Sequence, residues 1–324
     1  MYKFINRLKK ILVVGSIMIK YNVVLAQGQD STSRKGISYF SNKFPVTSVI
    51  NLEYKQLTPY KFSSKYMGAD IPETEINNLY HFQGSANLNF FKKNNFVVGT
   101  TLFYRYLSMN AGQMKNEQYH YHSQSLNLTY FSKVFGKTVI YSGSLITDGS
   151  DKRFHERMRG MASANILLKA SRESLLSVGI IAFLDPSALL PALPSFTYRQ
   201  DFGKGLIADI LLPKGSYLRK NIGQNGRLSI GSELGSTYFY LHNIDETKKT
   251  YALYQIDINS GLTYEYKLGK SFIATFKTGY RNSPNSRVFE KTAAQRDYIL
   301  QATPGAAFYF NAGISLNQFG KKKK

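Results

Sequence analysis

The chain has 324 residues, with 24 tyrosines and 22 phenylalanines but no cysteine and no tryptophan. The lack of cysteine excludes disulfide staples and thiol chemistry, and a hydrophobic content of 43% speaks against a disordered chain. A formal net charge of +22 would suit a nucleic-acid binder, but the basic residues are scattered, with no basic helix or aromatic RNA-binding signature; that pattern fits an anionic surface such as lipopolysaccharide better than nucleic acid.

The N-terminus reads as an export signal. Lys3, Arg7, Lys9 and Lys10 precede the apolar run Ile11 to Ile19, and Val24 and Ala26 stand at the small-residue positions before Gln27. The expectation is a signal peptide over 1–26, cleaved near Ala26/Gln27, because so short a run cannot cross a bilayer core. Polar residues 27–44 follow as a periplasmic lead-in. No later apolar run approaches the length of a transmembrane helix.

From residue 45 the hydrophobic period is two. In 76–90, Ile76, Tyr80, Phe82, Ala86, Leu88 and Phe90 alternate with Asn77, His81, Gln83, Ser85, Asn87 and Asn89. Leu126, Leu128 and Tyr130 stand opposite Asn127 and Thr129. Asp209 is alone between Ile207 and Leu211. Leu228, Ile230 and Leu234 face away from Arg227 and Glu233. Tyr254, Ile256, Ile258 and Leu262 oppose Gln255, Asp257 and Asn259, and Phe308, Phe310, Ala312, Ile314 and Leu316 are in phase.

Connections near 91–95, 132–137, 171–174, 202–205, 222–226 and 267–270 are short. Those near 59–73, 109–118, 148–158, 184–193, 241–250 and 282–294 read as mostly long and polar, with 213–215 the short exception. Alternating short and long connections are what outer-membrane barrels show, the short ones as periplasmic turns and the long ones as extracellular loops. Two architectures compete, a soluble sandwich with its apolar face inward and a membrane barrel with its apolar face outward. The wet face is rich in Asn, Gln, Ser, Thr and Gly with isolated charges of both signs. Tyr80, Tyr104, Tyr106, Tyr130, Tyr238, Tyr240, Tyr264, Tyr266 and Tyr280 lie toward strand ends on the apolar face, where interfacial aromatic girdles belong. The reading is an all-β, closed antiparallel transmembrane β-barrel over 45–319 with a polar lumen. It has about 14 strands, or 12 if 193–222 is one irregular excursion, and a basic tail at 320–324.

The segments "INLEYKQLTPYKF", "LPSFTYRQDFGKGLIADILLPKGSYLRK" and "GRLSIGSELGSTYFY" resemble an uncharacterised outer-membrane β-barrel family of Bacteroidetes-type bacteria, with a Pro before an aromatic strand and a second, Pro213, closing the next. The resemblance covers most of 45–316. It implies a barrel, an outer-membrane address, lipid and lipopolysaccharide as surroundings and the barrel-assembly machinery as a partner. It implies no activity and no site residues. Phe319 is the candidate C-terminal aromatic for assembly, although it is out of phase with Ile314 and Leu316.

Chemistry is sparse. His120 and His122 share a strand face at metal-holding spacing, and read better as interfacial residues near the extracellular rim. Asp148 and Asp151 could touch calcium but lack the ligand count of a loop motif. "HERMR" at 155–159 has no second histidine and so is no zinc-protease motif. A barrel hydrolase would draw on His81, His155 or His242. No cofactor is expected. Arg105, Asp209, Arg227, Glu233, Asp257, Glu265, Lys277 and Arg281 have inward parity. They form either an internal salt-bridge network in a barrel that conducts nothing, or the selectivity lining of a path for small polar solutes.

Overall fold

A computed structural model describes residues 44, 48–112, 114–171, 173–244 and 249–317. The expected signal peptide, nearly all of the lead-in, Phe319 and the basic tail lie outside the described residues.

Alternating apolar and polar residues rich in Val, Ile, Tyr, Phe and Thr favour extended chain, and the described residues hold sixteen strand segments and no helix. In chain order these are β1 (Ile50–Leu57), β2 (Tyr60–Tyr66), β3 (Ala69–Lys93), β4 (Phe96–Ala111), β5 (Met114–Val134), β6 (Lys137–Gly149), β7 (Arg157–Ala170), β8 (Ser174–Leu184), β9 (Ala192–Asp201), β10 (Leu206–Leu212), β11 (Gly215–Ile222), β12 (Gly226–His242), β13 (Thr250–Leu268), β14 (Phe272–Glu290), β15 (Tyr298–Pro304) and β16 (Ala307–Leu316). Both β1 and β2 pair with β3, and both β15 and β16 pair with β14, so each couple is one broken stave. Sixteen segments therefore make fourteen staves. The ring closes where β1 meets β16, with Ile50 opposite Leu316, and where β2 meets β15, with Tyr66 opposite Leu300. The stretch 193–222 is three separate strands, which rules for fourteen over twelve.

Both described chain ends lie at one rim, here the terminal rim, whose turns are all short. At the opposite, far rim the expectation needs correcting. Residues 59–73 and 109–118 are not long loops. They are strands that continue to tight turns at Met67–Gly68 and beside Gly112. Most of 282–294 is likewise strand, since β14 runs to Glu290. These segments look like loops because polar residues outnumber apolar ones across them, although Tyr60, Phe62, Met109 and Ala111 pack into the interior cluster. The backbone ladder needs no apolar face, and β2 and β3 pair from Tyr60↔Ile76 to Tyr66↔Ala69. Met67 and Gly68, with φ of 49° and 86°, both take the positive values that a two-residue hairpin turn demands. Among the described residues, true far-rim loops remain at 150–156, 185–191 and 291–297.

The sidedness of the wall is inverted relative to a water-soluble protein. Leu126, Ile230 and Leu262 are exposed, at 54%, 57% and 45%, while Ser229, Asp257 and Asn259 are buried, at 1%, 5% and 7%. One row of glycines lets the wall bend: Gly231, Gly261 and Gly279 stand opposite one another on β12, β13 and β14. A Cβ on Gly261 would sit 2.1 Å from the Thr278 carbonyl oxygen, closer than any side chain tolerates.

Candidate functional site

The terminal half of the interior holds a polar cavity of about 450 Å3. Strands β1, β3, β9 to β14 and β16 present residues to it, so ionisable side chains from distant parts of the sequence meet there. Charge in such a space favours pairing or hydrogen bonding, and every lining charge but Lys214 has a partner among the described residues. The Arg227 guanidinium makes a two-pronged contact with Glu265, at 2.6 and 2.8 Å, while stacking 4.3 Å from the Phe44 ring. Arg219 donates to Asp209 at 2.9 Å. Lys277 donates to both Glu233 oxygens, at 3.0 and 3.1 Å, and Tyr217 donates to the same carboxylate at 2.8 Å. Glu53 accepts from Asn51, Gln83 and Asn311.

Midway up, Asp257 accepts from Ser283, Gln255 and Thr237, and Arg281 lies 3.9 Å from it and 4.4 Å from the Tyr60 ring. Arg281 is only 2% exposed. Lys55 donates to Asn259 at 2.6 Å. Arg105 donates to Gln83 and to the Ser236 carbonyl oxygen, the latter at 2.8 Å. Of the eight charged residues named from parity, Arg227 joins Glu265, Glu233 joins Lys277, and Asp257 lies beside Arg281. Asp209 takes Arg219, and Arg105 has no carboxylate partner among the described residues. Sequence parity alone missed Lys55, Glu53 and Arg219, although each shares its strand's inward phase.

Above this polar layer the interior is aromatic. Counted either way round the ring, β5 and β12 are seven staves apart and so diametrically opposite. They nevertheless touch: Tyr119 and Phe239 have ring centroids 5.9 Å apart, and Tyr121 lies 5.7 Å from Tyr238 and 6.5 Å from Tyr240. The upper part of β12 leans across the mouth. This corrects the expected place of Tyr238 and Tyr240 in a lipid-facing girdle. They have outward parity but are 6% and 3% exposed, because the leaning strand turns that face onto the inner side of β6 and β7. There Arg157 stacks 4.7 Å from the Tyr238 ring, and Tyr240 donates to Asp148. Asp148 also pairs with Arg159 at 2.9 Å, and Arg157 pairs with Asp185 at 3.2 Å.

A second set of contacts ties the far-rim loops to the same strand. His242 Nε2, at the end of β12, lies 3.0 Å from Ser150 Oγ and 3.2 Å from Glu156 Oε1, and Lys291 donates to the other Glu156 oxygen at 2.7 Å. Serine, histidine and carboxylate thus meet, but not as a hydrolase arranges them. Both partners use one ring nitrogen, whereas a catalytic histidine needs its second nitrogen on the acid. The Ser150 hydroxyl also accepts from the Lys152 and Arg153 backbone amides and is 3% exposed.

Elsewhere, His120 Nδ1 lies 2.9 Å from the Tyr104 hydroxyl and His122 Nε2 lies 2.9 Å from the Phe154 carbonyl oxygen. Asp148 is taken up by arginine and tyrosine, and Asp151 lies 3.7 Å from Lys152. No group of metal-ligating side chains occurs among the described residues. His155 is exposed at the β6–β7 loop, and His81 stands opposite Lys55.

No family model matches the chain, and no curated protein does. Solved structures of similar form include an outer-membrane channel from Pseudomonas putida F1, 11% identical over 84% of this chain and 96% of that one, with a TM-score of 0.36. Outer-membrane phospholipase A from Escherichia coli is 10% identical over 88% and 98%, at 0.35. The outer-membrane protease of Escherichia coli is 8% identical over 85% and 100%, at 0.29. A channel, a lipase and a protease share this form, so the likeness selects no activity.

Proposed function

We propose that the protein is an outer-membrane barrel closed to free diffusion at rest, with a polar vestibule that admits small polar solutes and a far mouth that passes them only when β12 moves aside. The carrying observation is the contact of β5 with β12 across the full diameter of the ring. The exposed apolar band supports a bilayer setting, with lipid and lipopolysaccharide around it. In that setting the short-turn terminal rim faces the periplasm, and delivery requires an export signal and the barrel-assembly machinery. The family resembled by the quoted segments has the same address.

Planar-bilayer recording tests the reading. The wild-type protein is expected to be silent at moderate voltage. Replacing the closing rings, as in Tyr238→Gly with Phe239→Gly, should give stepwise conductance whose ion preference shifts with Lys277→Glu. Steady open-channel steps from the wild type would overturn the resting closure. Silence of a correctly folded double-glycine variant would overturn the passage and leave a structural barrel.

A further inference from the structure

The wall is low at one place. Strands β10 and β11 have 7 and 8 residues where β12 and β13 have 17 and 19. Strand β11 pairs with β12 only from Ile222↔Gly226 to Gly215↔Glu233, and the ladder ends at the Leu234 amide donating to the Lys214 carbonyl. From there to His242, β12 has β13 as its only strand partner among the described residues. Leu234 stands opposite Ile258, the far-rim end of the exposed apolar run of β13 that reaches down to Tyr266. The hairpin tip therefore ends at the edge of the apolar band, while β12 and β13 continue past it.

The polar cavity reaches this gap. Its lining includes Leu211, Lys214 and Leu234 beside the inward charges, although Leu234 belongs to the lipid-facing set and is 43% exposed; Leu212, two residues before Lys214, is 46% exposed. The other cavity charges described above have partners. Lys214 makes no ion pair and no side-chain hydrogen bond among the described residues. The Lys214 ammonium, exposed at this edge, is free to take a counter-anion, and the cavity that it helps to line is a polar space beside it.

We propose that this gap is a binding mouth for a single-chain anionic amphiphile. Its headgroup, a carboxylate or a phosphate monoester, meets the Lys214 ammonium at the cavity edge, and its alkyl chain lies in the bilayer along Leu212 and Leu234. The site rests on the bilayer setting proposed above and is independent of the closure at the far mouth.

The chain has no tryptophan, so a single introduced one is the sole indole reporter. Leu234→Trp would report at the mouth. Ile314→Trp, at an equally exposed residue (43%) on β16, would report on plain lipid. Both proteins, in phosphatidylcholine vesicles, are titrated with an eleven-carbon carboxylate brominated at its far end, with the matching phosphate ester and with the matching alcohol. Saturable quenching by the anions is expected at Leu234→Trp and only linear quenching at Ile314→Trp. Adding Lys214→Gln should raise the half-saturating concentration about tenfold, as for loss of one charge-assisted contact. Lys214→Arg should preserve it, and the alcohol should not respond to either change. The tighter of the two anions identifies the headgroup. Linear quenching at both reporters, or indifference to Lys214→Gln, would overturn the mouth. If phospholipid brominated on its chains fails to quench Ile314→Trp, the bilayer setting itself is wrong and the mouth falls with it.

Discussion

At Ile258 and Asn259 two successive side chains live in opposite worlds, the isoleucine 37% exposed on the apolar outer band and the asparagine 7% exposed against the Lys55 ammonium. Ile258→Arg places a charge at the far-rim end of that band and should destabilise by part of the roughly 2–4 kcal/mol that a charge costs at the bilayer midplane. Asn259→Asp exchanges a hydrogen bond to Lys55 for an ion pair and should be near neutral. Urea unfolding in vesicles checks both, and the reverse order of costs would mean the faces are assigned the wrong way round. The Arg227–Glu265 pair obeys a different rule. Glu265→Leu leaves a buried guanidinium without its carboxylate and should cost about 3–5 kcal/mol, while the double change Arg227→Leu with Glu265→Leu should recover most of it. A double-mutant cycle with no coupling would mean that water, not Glu265, solvates Arg227.

Single strands show what could be read in advance and what could not. Phase was legible wherever one face is apolar, as in 254–262, because the bilayer and the interior demand different residues on alternate positions. It was not legible in 59–73 or 109–118, where polar residues together outnumber apolar ones and the few that pack inside, Tyr60, Phe62, Met109 and Ala111, are too sparse to show a period. Nor was it legible in Tyr238 and Tyr240, whose burial depends on where β12 leans and not on their own alternation. The parity of the eight interior charges could be counted, but which of them meet depends on the curvature of the wall. That curvature is a matter of residues without side chains. Gly261→Val drives a branched chain into the Thr278 carbonyl and should cost at least about 1–3 kcal/mol. Gly143→Ala meets nothing within 4 Å and should be silent. Heat-modifiability on gels separates the two, and a Gly261→Val barrel as heat-resistant as the wild type would refute the close approach.

For the molecule as a whole, the proposed closure of the far mouth rests on contacts that can be undone without breaking a ladder: tilted ring pairs between β5 and β12, and the Ser150, Glu156 and Lys291 contacts around His242. Glu156→Gln removes the charge that holds both His242 and Lys291, and should lower the voltage at which steps appear in bilayers. An unchanged threshold would separate the loop contacts from the closure. The ring has a further property of a kinetic kind. Thirteen of the fourteen ladders join strands that are neighbours in the chain and can zip as successive hairpins, each at small entropic cost. The last joins Ile50 to Leu316 and must wait for nearly the whole polypeptide. Loop-closure entropy grows only logarithmically, about 0.6 kcal/mol for each doubling of length, so lengthening a far-rim loop should hardly slow folding. A slip of the seam by a single residue, in contrast, would present the wrong face of one edge to its partner. Folding speed thus hangs on hairpins, and folding accuracy on one pairing made at the end.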